Sequence, residues 1–288
     1  MADTPAERPE RYYELATTGF DVRPQPVGRA RRLWDNGIVR KAGLLGVLAL
    51  VWEGYARWLS NPLLFPTFSD TVTALGSSIA SGELPDAAAF TIQLLLKGYL
   101  AGLALAVLLT ALATTTRIGA DFLETVASMF NPLPSIALLP VALIWFGIGD
   151  GAVIFVLIHA VLWAVALNAY AGCRGVSPTL RMVGQNYGLS RAGYILRILL
   201  PGAFPSILTG LKVGWAFAWR TLIAAELVFG VSSGSGGLGW YINDHKNQLN
   251  IPNVFAGLLT VIVFGLLVES LIFRTLEART TRRWGMES

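Results

Sequence analysis

Residues 151–172 read GAVIFVLIHAVLWAVALNAYAG, an apolar run without a charged side chain. A helix needs about 20 such residues to cross the roughly 30 Å hydrocarbon core of a bilayer. The run therefore predicts a membrane-spanning helix. Five further runs have comparable length and apolarity, and the six candidates are residues 41–59, 89–113, 122–147, 151–172, 205–230 and 253–275.

The composition of the whole chain indicates lipid as the main solvent. Hydrophobic residues make up 54% of the 288 positions and charged residues only 14%, with a mean hydropathy of +0.56. A soluble domain carries about a quarter charged residues, and at this composition it would lack polar groups to cover its surface. The sequence thus predicts an all-α polytopic membrane protein with six transmembrane helices.

Prolines interrupt the third candidate run at Pro132, Pro134 and Pro140. Proline inside a membrane helix frees carbonyl groups that neighbouring helices or water must satisfy. We therefore expect a kinked or broken helix there, after which residues 147–151 turn the chain back.

Basic residues are unevenly distributed among the segments that connect the runs. Residues 60–88 contain no lysine or arginine, and residues 231–252 contain only Lys246. Cytoplasmic segments carry the excess of basic residues, so both termini are predicted to lie in the cytoplasm after six crossings. The formal net charge of +4 is then a signal of topology and not a nucleic-acid patch. The predicted cytoplasmic basic residues are Arg8, Arg11, Arg23, Arg29, Arg31, Arg32, Arg40, Lys41, Arg117, Arg174, Arg181, Arg191, Arg197, Arg274, Arg279, Arg282 and Arg283.

These signals divide the chain into three parts. Residues 1–37 are predicted to form a partly disordered cytoplasmic tail, residues 38–275 the transmembrane domain, and residues 276–288 a second cytoplasmic tail.

The polar segment between the fourth and fifth runs has the signals of two short helices. Ser177 followed by Pro178 is a helix start, and Gly188 suits the left-handed position that ends a helix over residues 179–187. Ser190 can cap a second helix over residues 191–200, which Pro201 is expected to stop. An exposed apolar surface from Met182, Val183 and Tyr187 would suggest a partner. The alternative is an ordinary structured loop whose arginines only enforce topology.

The same segment resembles the cytoplasmic "EAA" loop of ABC importer permeases. In that pattern a glycine is followed by nine residues and Ile-x-Leu-Pro, and Gly188, Ile198, Leu200 and Pro201 match it. The Glu-Ala-Ala positions are occupied by Met182, Val183 and Gly184, which depart from the pattern. In the family this loop is a coupling helix seated in a cleft of the ATP-binding subunit. The resemblance implies that loop 177–199 docks that subunit, and the expected contact residues are Met182, Val183, Gly184, Tyr187, Gly188, Leu189 and Arg191.

Other motifs are similar to the nitrate/sulfonate/taurine branch of these permeases. They are residues 131–140, 144–150, 200–212, 225–226 and 237–242, and the resemblance covers roughly residues 60–275. It implies a homodimeric permease of a bacterial inner membrane, coupled to two ATP-binding subunits and served by a periplasmic or lipid-anchored solute-binding protein. The expected solute is a small anion such as a sulfonate, nitrate, taurine or an aromatic acid.

Ionisable residues inside the runs are candidates for the solute path, because charge in hydrocarbon is costly and usually faces a cavity. Lys97, Lys212, Arg220 and Glu226 qualify. The functional hypothesis is an anion-accepting path, and the alternative is interhelical ion pairing for structure. The residues of the proposed path are Asn168, Trp215, Trp219, Arg220 and Glu226.

The sequence also gives reasons to exclude ATP binding, dinucleotide binding and metal binding by this chain. No phosphate-binding loop of the Gly-x-x-x-x-Gly-Lys-Ser/Thr type is present, so ATP and Mg²⁺ are expected in the partner subunit and no cofactor in this chain. The Gly-x-Gly-x-x-Gly match at residues 234–239 is interpreted as a tight turn. His159, His245 and Cys173 lack metal-ligand spacing, and His159 is expected to form a helix-packing hydrogen bond.

The main alternative function is an ion-driven secondary transporter that works without an ATPase. It would use Lys97, Arg220 and Glu226 as a relay. A membrane enzyme or scaffold is the weakest alternative, because no nucleophile–base pair or metal constellation is present. We therefore expect a transporter subunit and not an enzyme.

Overall fold

The computed structural model describes residues 37–229 and 236–280. Within these ranges every element of regular secondary structure is a helix, which confirms the predicted all-α class. Residues 1–36 of the predicted N-terminal tail, residues 281–288 of the predicted C-terminal tail and part of the glycine-rich turn at 234–239 lie outside the described residues. Contacts divide the chain into residues 1–49 and residues 50–288. The helices are α1 (Gly37–Leu59), α2 (Phe68–Ala80), α3 (Glu83–Thr115), α4 (Arg117–Phe130), a 3₁₀ turn (Ser135–Leu138), α5 (Leu139–Phe146), α6 (Asp150–Gly175), α7 (Pro178–Asn186), α8 (Arg191–Tyr194), a π turn (Ile195–Leu199), α9 (Leu200–Phe229), α10 (Leu238–Asn247), α11 (Ile251–Leu267), a second π turn (Val268–Phe273) and α12 (Arg274–Arg279).

Four continuous helices in the described part of the chain are long and apolar enough to cross a membrane. They cover Glu83–Thr115, Asp150–Gly175, Arg191–Val228 and Ile251–Arg279. These helices contain four of the six predicted runs, with the exception of the last two residues of run 205–230. The pair formed by α4 and Ser135–Phe146 would make a fifth crossing, with a bend of 86° between its halves. The predicted break at Pro132 and Pro134 is therefore confirmed.

The first predicted run forms helix α1 but does not belong to this set. Its second half carries Glu53 and Arg57, whose side chains form an ion pair at 2.7 Å. These two charges lower the mean hydropathy of the run, so length and composition alone do not identify α1 as a crossing.

Helix α6 lies at the centre of the core and packs against both α3 and α9. Small residues allow the helices to come close, as is usual for helix pairs in membranes. A Cβ atom added at Gly98 of α3 would lie 2.5 Å from Leu157 Cβ of α6, and one at Gly210 of α9 would lie 2.8 Å from Asn168 Cβ. Leu157 itself is fully buried.

The helix that starts after Ser190 does not stop at Pro201, so this prediction was wrong. It continues through the π turn Ile195–Leu199 into α9, and the whole segment Arg191–Val228 forms one candidate span. In the π turn the Leu200 N–H donates to the carbonyl of Ile195. Pro201 follows this wide turn directly, and a local change of helix type lets a membrane helix accommodate the missing N–H of a proline.

Candidate functional site

A cavity of about 340 Å³ lies where the chain breaks between α4 and α5. One wall is the break itself, residues 131–136, in which two prolines prevent a continuous helix. The opposite walls are side chains of α6 and α9. Those side chains are His159, Ala160, Trp163, Phe217, Arg220, Thr221 and Ala224.

Arg220 supplies the cation of this cavity. Its Nε donates to the carbonyl of Ala216 at 3.0 Å, and its guanidinium lies 5.3 Å from the centre of the Phe217 ring. Among the described residues, no acidic one lines the cavity and none forms an ion pair with Arg220. The two terminal nitrogens of the guanidinium are therefore available to an anion.

His159 and Trp163 line the same cavity from adjacent turns of α6. The Ser135 hydroxyl lies 3.1 Å from His159 Nδ1 and ties α6 to the break, so the expected helix-packing hydrogen bond is confirmed. Trp163 is 7% exposed and its ring stacks on Phe130 with 6.2 Å between centroids. Within the described residues, His159 Nε2 and the indole N–H of Trp163 are buried and have no hydrogen-bond partner.

Trp163 was missed by the sequence analysis. The only signal was a tryptophan in the middle of an apolar run, where the indole N–H needs a hydrogen-bond acceptor. That signal was weak, because the sequence alone did not show which side of α6 faces the break.

Three of the predicted path residues lie outside the lining of this cavity. Asn168 donates from Nδ2 to the Ala164 carbonyl at 2.7 Å and is half-buried. The Trp215 ring packs edge-on against Tyr99, and Trp219 is buried against Phe264. None of the three lines the cavity with Arg220.

Glu226, the last predicted path residue, belongs to a buried hydrogen-bond network and does not line the cavity. Its carboxylate accepts hydrogen bonds from the hydroxyl of Thr91 and from the N–H of Gly239 at 2.9 Å. A separate hydrogen bond also holds α10, because the hydroxyls of Tyr241 and Ser78 lie 2.8 Å apart. Burial raises the pKa of the Tyr241 phenol, so the group stays protonated. The network attaches the start of α10 to α3 and α9.

Lys97 and Lys212 form ion pairs that connect elements of the fold. Lys212 Nζ lies 2.7 Å from Glu277 and 3.2 Å from Glu269, and Lys97 Nζ lies 3.6 Å from Asp150. Both lysines therefore form ion pairs that support the structure. In the described part of the chain, no hydrogen bond or ion pair joins Lys97, Arg220 and Glu226 into a relay.

Loop 177–199 begins with the local structure that its sequence predicts. Ser177 Oγ accepts from the Thr179 N–H, Gly188 has a φ of +63°, and Ser190 Oγ accepts from the Gly193 N–H at 3.1 Å. Gly184 is buried where α7 contacts the following helix, and an added Cβ would lie 3.0 Å from Ile198 Cδ1 and 3.1 Å from Tyr194 Cδ2. This close contact joins α7 to the N-terminal extension of α9.

The seven predicted contact residues of loop 177–199 differ in exposure. Tyr187 is 82% exposed and Met182 54%, and Val183, Gly188 and Arg191 are also exposed. Leu189 is half-buried and Gly184 is buried. The exposed apolar side chains form a surface on α7 and its C-terminal turn.

Residues 98–282 match the family model for the binding-protein-dependent transport system inner membrane component. The chain belongs to this family. The matched region contains the cavity, loop 177–199 and the helices that connect them. The permease is therefore an inner membrane component of an ABC transporter.

Three relatives of the permease are named for transport of aliphatic sulfonates, taurine or nitrate. It is 30% identical over 242 residues to an Escherichia coli permease named for aliphatic sulfonate transport, which covers 83% of this chain and 89% of that protein. It is 36% identical over 159 residues to the taurine transport system permease of the same organism, covering 55% of this chain and 56% of that protein. The nitrate import permease of a Synechocystis strain is 27% identical over 256 residues, covering 83% and 88%. The resemblance to the nitrate/sulfonate/taurine branch is confirmed.

Proposed function

We propose that the permease works as a homodimer that imports a small anionic solute, with ATP hydrolysed by a separate subunit. The relatives named for sulfonates and nitrate support an anion, and taurine also carries a sulfonate group. An aromatic acid has the same charge as nitrate. A solute-binding protein, periplasmic or lipid-anchored, delivers the solute to the outer face. Two copies of the permease enclose the path and each docks one ATP-binding subunit, which binds the ATP and Mg²⁺.

In this proposal the permease crosses a bacterial inner membrane six times, with both termini in the cytoplasm. Helix α1 makes the first crossing, and the bent pair Arg117–Phe130 and Ser135–Phe146 makes the third. The distribution of basic residues then leaves residues 60–88 and 231–252 outside the cell.

The coupling element is loop 177–199. One observation carries the proposal: the helix that starts in this loop continues without a break to the cavity residue Arg220. At 1.5 Å per residue, Arg191 and Arg220 are roughly 40 Å apart along the helix. Because Gly184 packs α7 onto this helix, a movement of the docked subunit is transmitted to the cavity.

The contact with the ATP-binding subunit is apolar at its centre. Met182 and Val183 occupy positions where the family pattern has Glu and Ala, and they are exposed beside Tyr187. Exposed apolar side chains of this kind mark protein interaction sites. The loop therefore binds its partner through burial of apolar area more than through an ion pair.

The test uses the left-handed turn at Gly188. A Gly188→Val variant should lose both association with the ATP-binding subunit and ATP-driven uptake, because a β-branched residue is strained at a φ of +63°. Gly188→Asn is the matched control and should retain both, because asparagine tolerates this conformation. The docking role is contradicted if the Val variant copurifies with the subunit and transports like the parent. Uptake by the permease alone, driven by an ion gradient, would instead support the secondary-transporter alternative.

A further inference from the structure

Two adjoining cavities lie between loop 177–199 and the C-terminal ends of α3 and α6. Their volumes are about 260 and 400 Å³. Arg181 of α7 lines both cavities, Arg191 of α8 lines the smaller one, and Arg174 at the end of α6 lines the larger one. Three arginines from three separate helices therefore meet at this place.

Two of these arginines keep their charge unneutralised. Arg174 pairs with Glu124 of α4 at 3.0 Å. Among the residues that the structure describes, no acidic side chain lines either cavity, and none forms an ion pair with Arg181 or Arg191. Convergent positive charge in a concave site attracts an anion.

A basic residue on a cytoplasmic loop can also serve only to orient the protein in the membrane. Arg197 has the features expected of that role, because it is exposed on the same loop and lines neither cavity. Arg181 and Arg191, by contrast, line one cavity together with the side chain of Gln185. A guanidinium group binds phosphate through two parallel N–H donors. Their convergence therefore indicates a site for a phosphate group.

The position of the cavities favours a phosphate that belongs to a lipid. Thr115 lines the smaller cavity and is the last residue of the candidate span Glu83–Thr115. Leu108, Leu112 and Thr115 lie on one face of α3, because they are spaced by four and three residues. Leu108 is 67% exposed and Leu112 47%. An apolar strip on the span therefore leads to the cavity that holds Arg181 and Arg191.

We propose that these cavities bind the phosphate group of an anionic phospholipid of the cytoplasmic leaflet, such as phosphatidylglycerol. Arg181 and Arg191 bind the phosphate oxygens, and an acyl chain follows Leu112 and Leu108. The inference goes beyond solute import and rests on the proposed orientation, in which this end of α3 faces the cytoplasm. Basic pockets between membrane helices on that side bind anionic headgroups. The cavity volumes are near the lower limit of ligand sites, which suits a headgroup.

The experiment titrates the purified full-length permease with phosphatidylglycerol in a neutral detergent and counts bound lipids by native mass spectrometry. Arg181→Gln should bind this lipid about fivefold more weakly, and the double variant Arg181→Gln/Arg191→Gln about twentyfold, because each change removes one charge interaction. Arg181→Lys should weaken binding only about threefold, since lysine keeps the charge and loses the fork. Phosphatidylcholine with the same acyl chains should bind about tenfold more weakly than phosphatidylglycerol, because its choline cation is repelled.

Arg197→Gln is the matched control, because it removes the same charge from the same loop and leaves the lining of both cavities intact. Its affinity for phosphatidylglycerol should stay within about twofold of the parent. The inference is overturned if Arg181→Gln binds as tightly as the parent, if Arg197→Gln is weakened as much as Arg181→Gln, or if phosphatidylcholine binds as tightly as phosphatidylglycerol.

Soluble phosphates and the ATP-binding subunit are the other sources of an anionic group. Inorganic phosphate and glycerol 3-phosphate at millimolar concentration should not displace phosphatidylglycerol, because they lack the acyl chains that hold the lipid beside α3. Displacement by either one would identify a soluble ligand and overturn the lipid site. Copurification of Arg181→Gln with the ATP-binding subunit is measured as well. Loss of that subunit at unchanged lipid affinity would assign Arg181 to the docking contact and also overturn the lipid site.

Lipid binding in detergent needs neither ATP nor solute, so the lipid site and the importer proposal can fail separately. ATP-dependent uptake by the parent is recorded in liposomes that contain the ATP-binding subunit. If uptake requires ATP but the parent does not prefer phosphatidylglycerol, only the lipid site is wrong. If the parent binds phosphatidylglycerol as expected but transports without ATP, the importer proposal fails and the lipid site stands.

Discussion

Thr91 Oγ1 lies 3.0 and 3.1 Å from the two carboxylate oxygens of Glu226, although the residues are 135 positions apart in the chain. The same hydroxyl oxygen accepts a hydrogen bond from the Leu238 N–H at 2.8 Å. Thr91 is fully buried and Glu226 is 4% exposed. One threonine therefore connects α3, α9 and the first turn of α10 inside the core.

Replacement of Thr91 by valine should destabilise the permease. Valine keeps the shape but removes both hydrogen bonds, so the Glu226 carboxylate and the Leu238 N–H are left with fewer partners. We expect a loss of about 2 kcal/mol and a lower unfolding midpoint by thermal denaturation of the purified protein. Thr73→Val removes an exposed hydroxyl that bonds only within its own helix and is the control. Equal midpoints for the two variants would contradict a stabilising role of the network.

Gly239 should not tolerate even an alanine. An added Cβ would lie 2.5 Å from Glu226 Cβ and 2.7 Å from the Ile223 carbonyl oxygen. Relief of these contacts would push α10 away from α9, and overpacking of this kind costs about 1–3 kcal/mol. Gly76→Ala, in a helix with open space at the same position, should be neutral or slightly stabilising in the same thermal assay. A Gly239→Ala variant as stable as Gly76→Ala would show that the start of α10 is free to move.

Lys212 and Glu277 should be energetically coupled. Their Nζ and Oε1 atoms are 2.7 Å apart, and the side chains are only 26% and 19% exposed. We expect a coupling of about 1 kcal/mol from a double-mutant cycle of Lys212→Met and Glu277→Gln in chemical denaturation. Additive effects of the two substitutions would mean that the pair contributes nothing to stability.

Tyr187 should contribute to docking of the ATP-binding subunit in a manner that salt hardly changes. The side chain is 82% exposed on loop 177–199, and buried tyrosines often dominate interface energies. Tyr187→Ala should weaken association about tenfold in a pull-down titration, whereas the control Gln185→Ala, exposed on the same helix, should change it less than twofold. Raising NaCl from about 0.1 to about 0.5 M should have little effect on the parent, since apolar contacts are not screened. Dissociation at the higher salt concentration would identify an ionic interface instead.

Local signals in the sequence predicted several elements correctly. The caps at Ser177 and Ser190, the left-handed glycine at position 188 and the break at Pro132 and Pro134 depend on a few neighbouring residues. Each of these signals acts through backbone groups within about one helical turn, so no knowledge of the fold was needed. Pro201 was interpreted wrongly because a π turn, which no short pattern announces, accommodates it.

The partners of individual side chains could not be predicted from the sequence in this way. Glu226 and Arg220 are six positions apart and were assigned to the same path, yet one meets Thr91 and the other faces the helix break. Trp163 escaped notice because its sequence neighbours are apolar and its cavity is formed by residues of another helix. The helical rotation between two positions can be counted, but the neighbour that each face meets depends on how the helices assemble.

The sequence by itself determined that the permease is a helical membrane protein, where most of its helices run, and which loop resembles a docking element. Hydropathy and helix capping depend only on residues that are close together in the chain, so they can be assessed without tertiary contacts. Only the tertiary structure decided which charges are paired and which remain free. Lys97, Lys212 and Glu226 have partners far away in the chain, whereas the described residues supply no acceptor to the terminal nitrogens of Arg220 or to the indole N–H of Trp163. The physical reason is that a buried donor or charge is satisfied by whatever the packed helices bring near it, and that proximity is set by the fold.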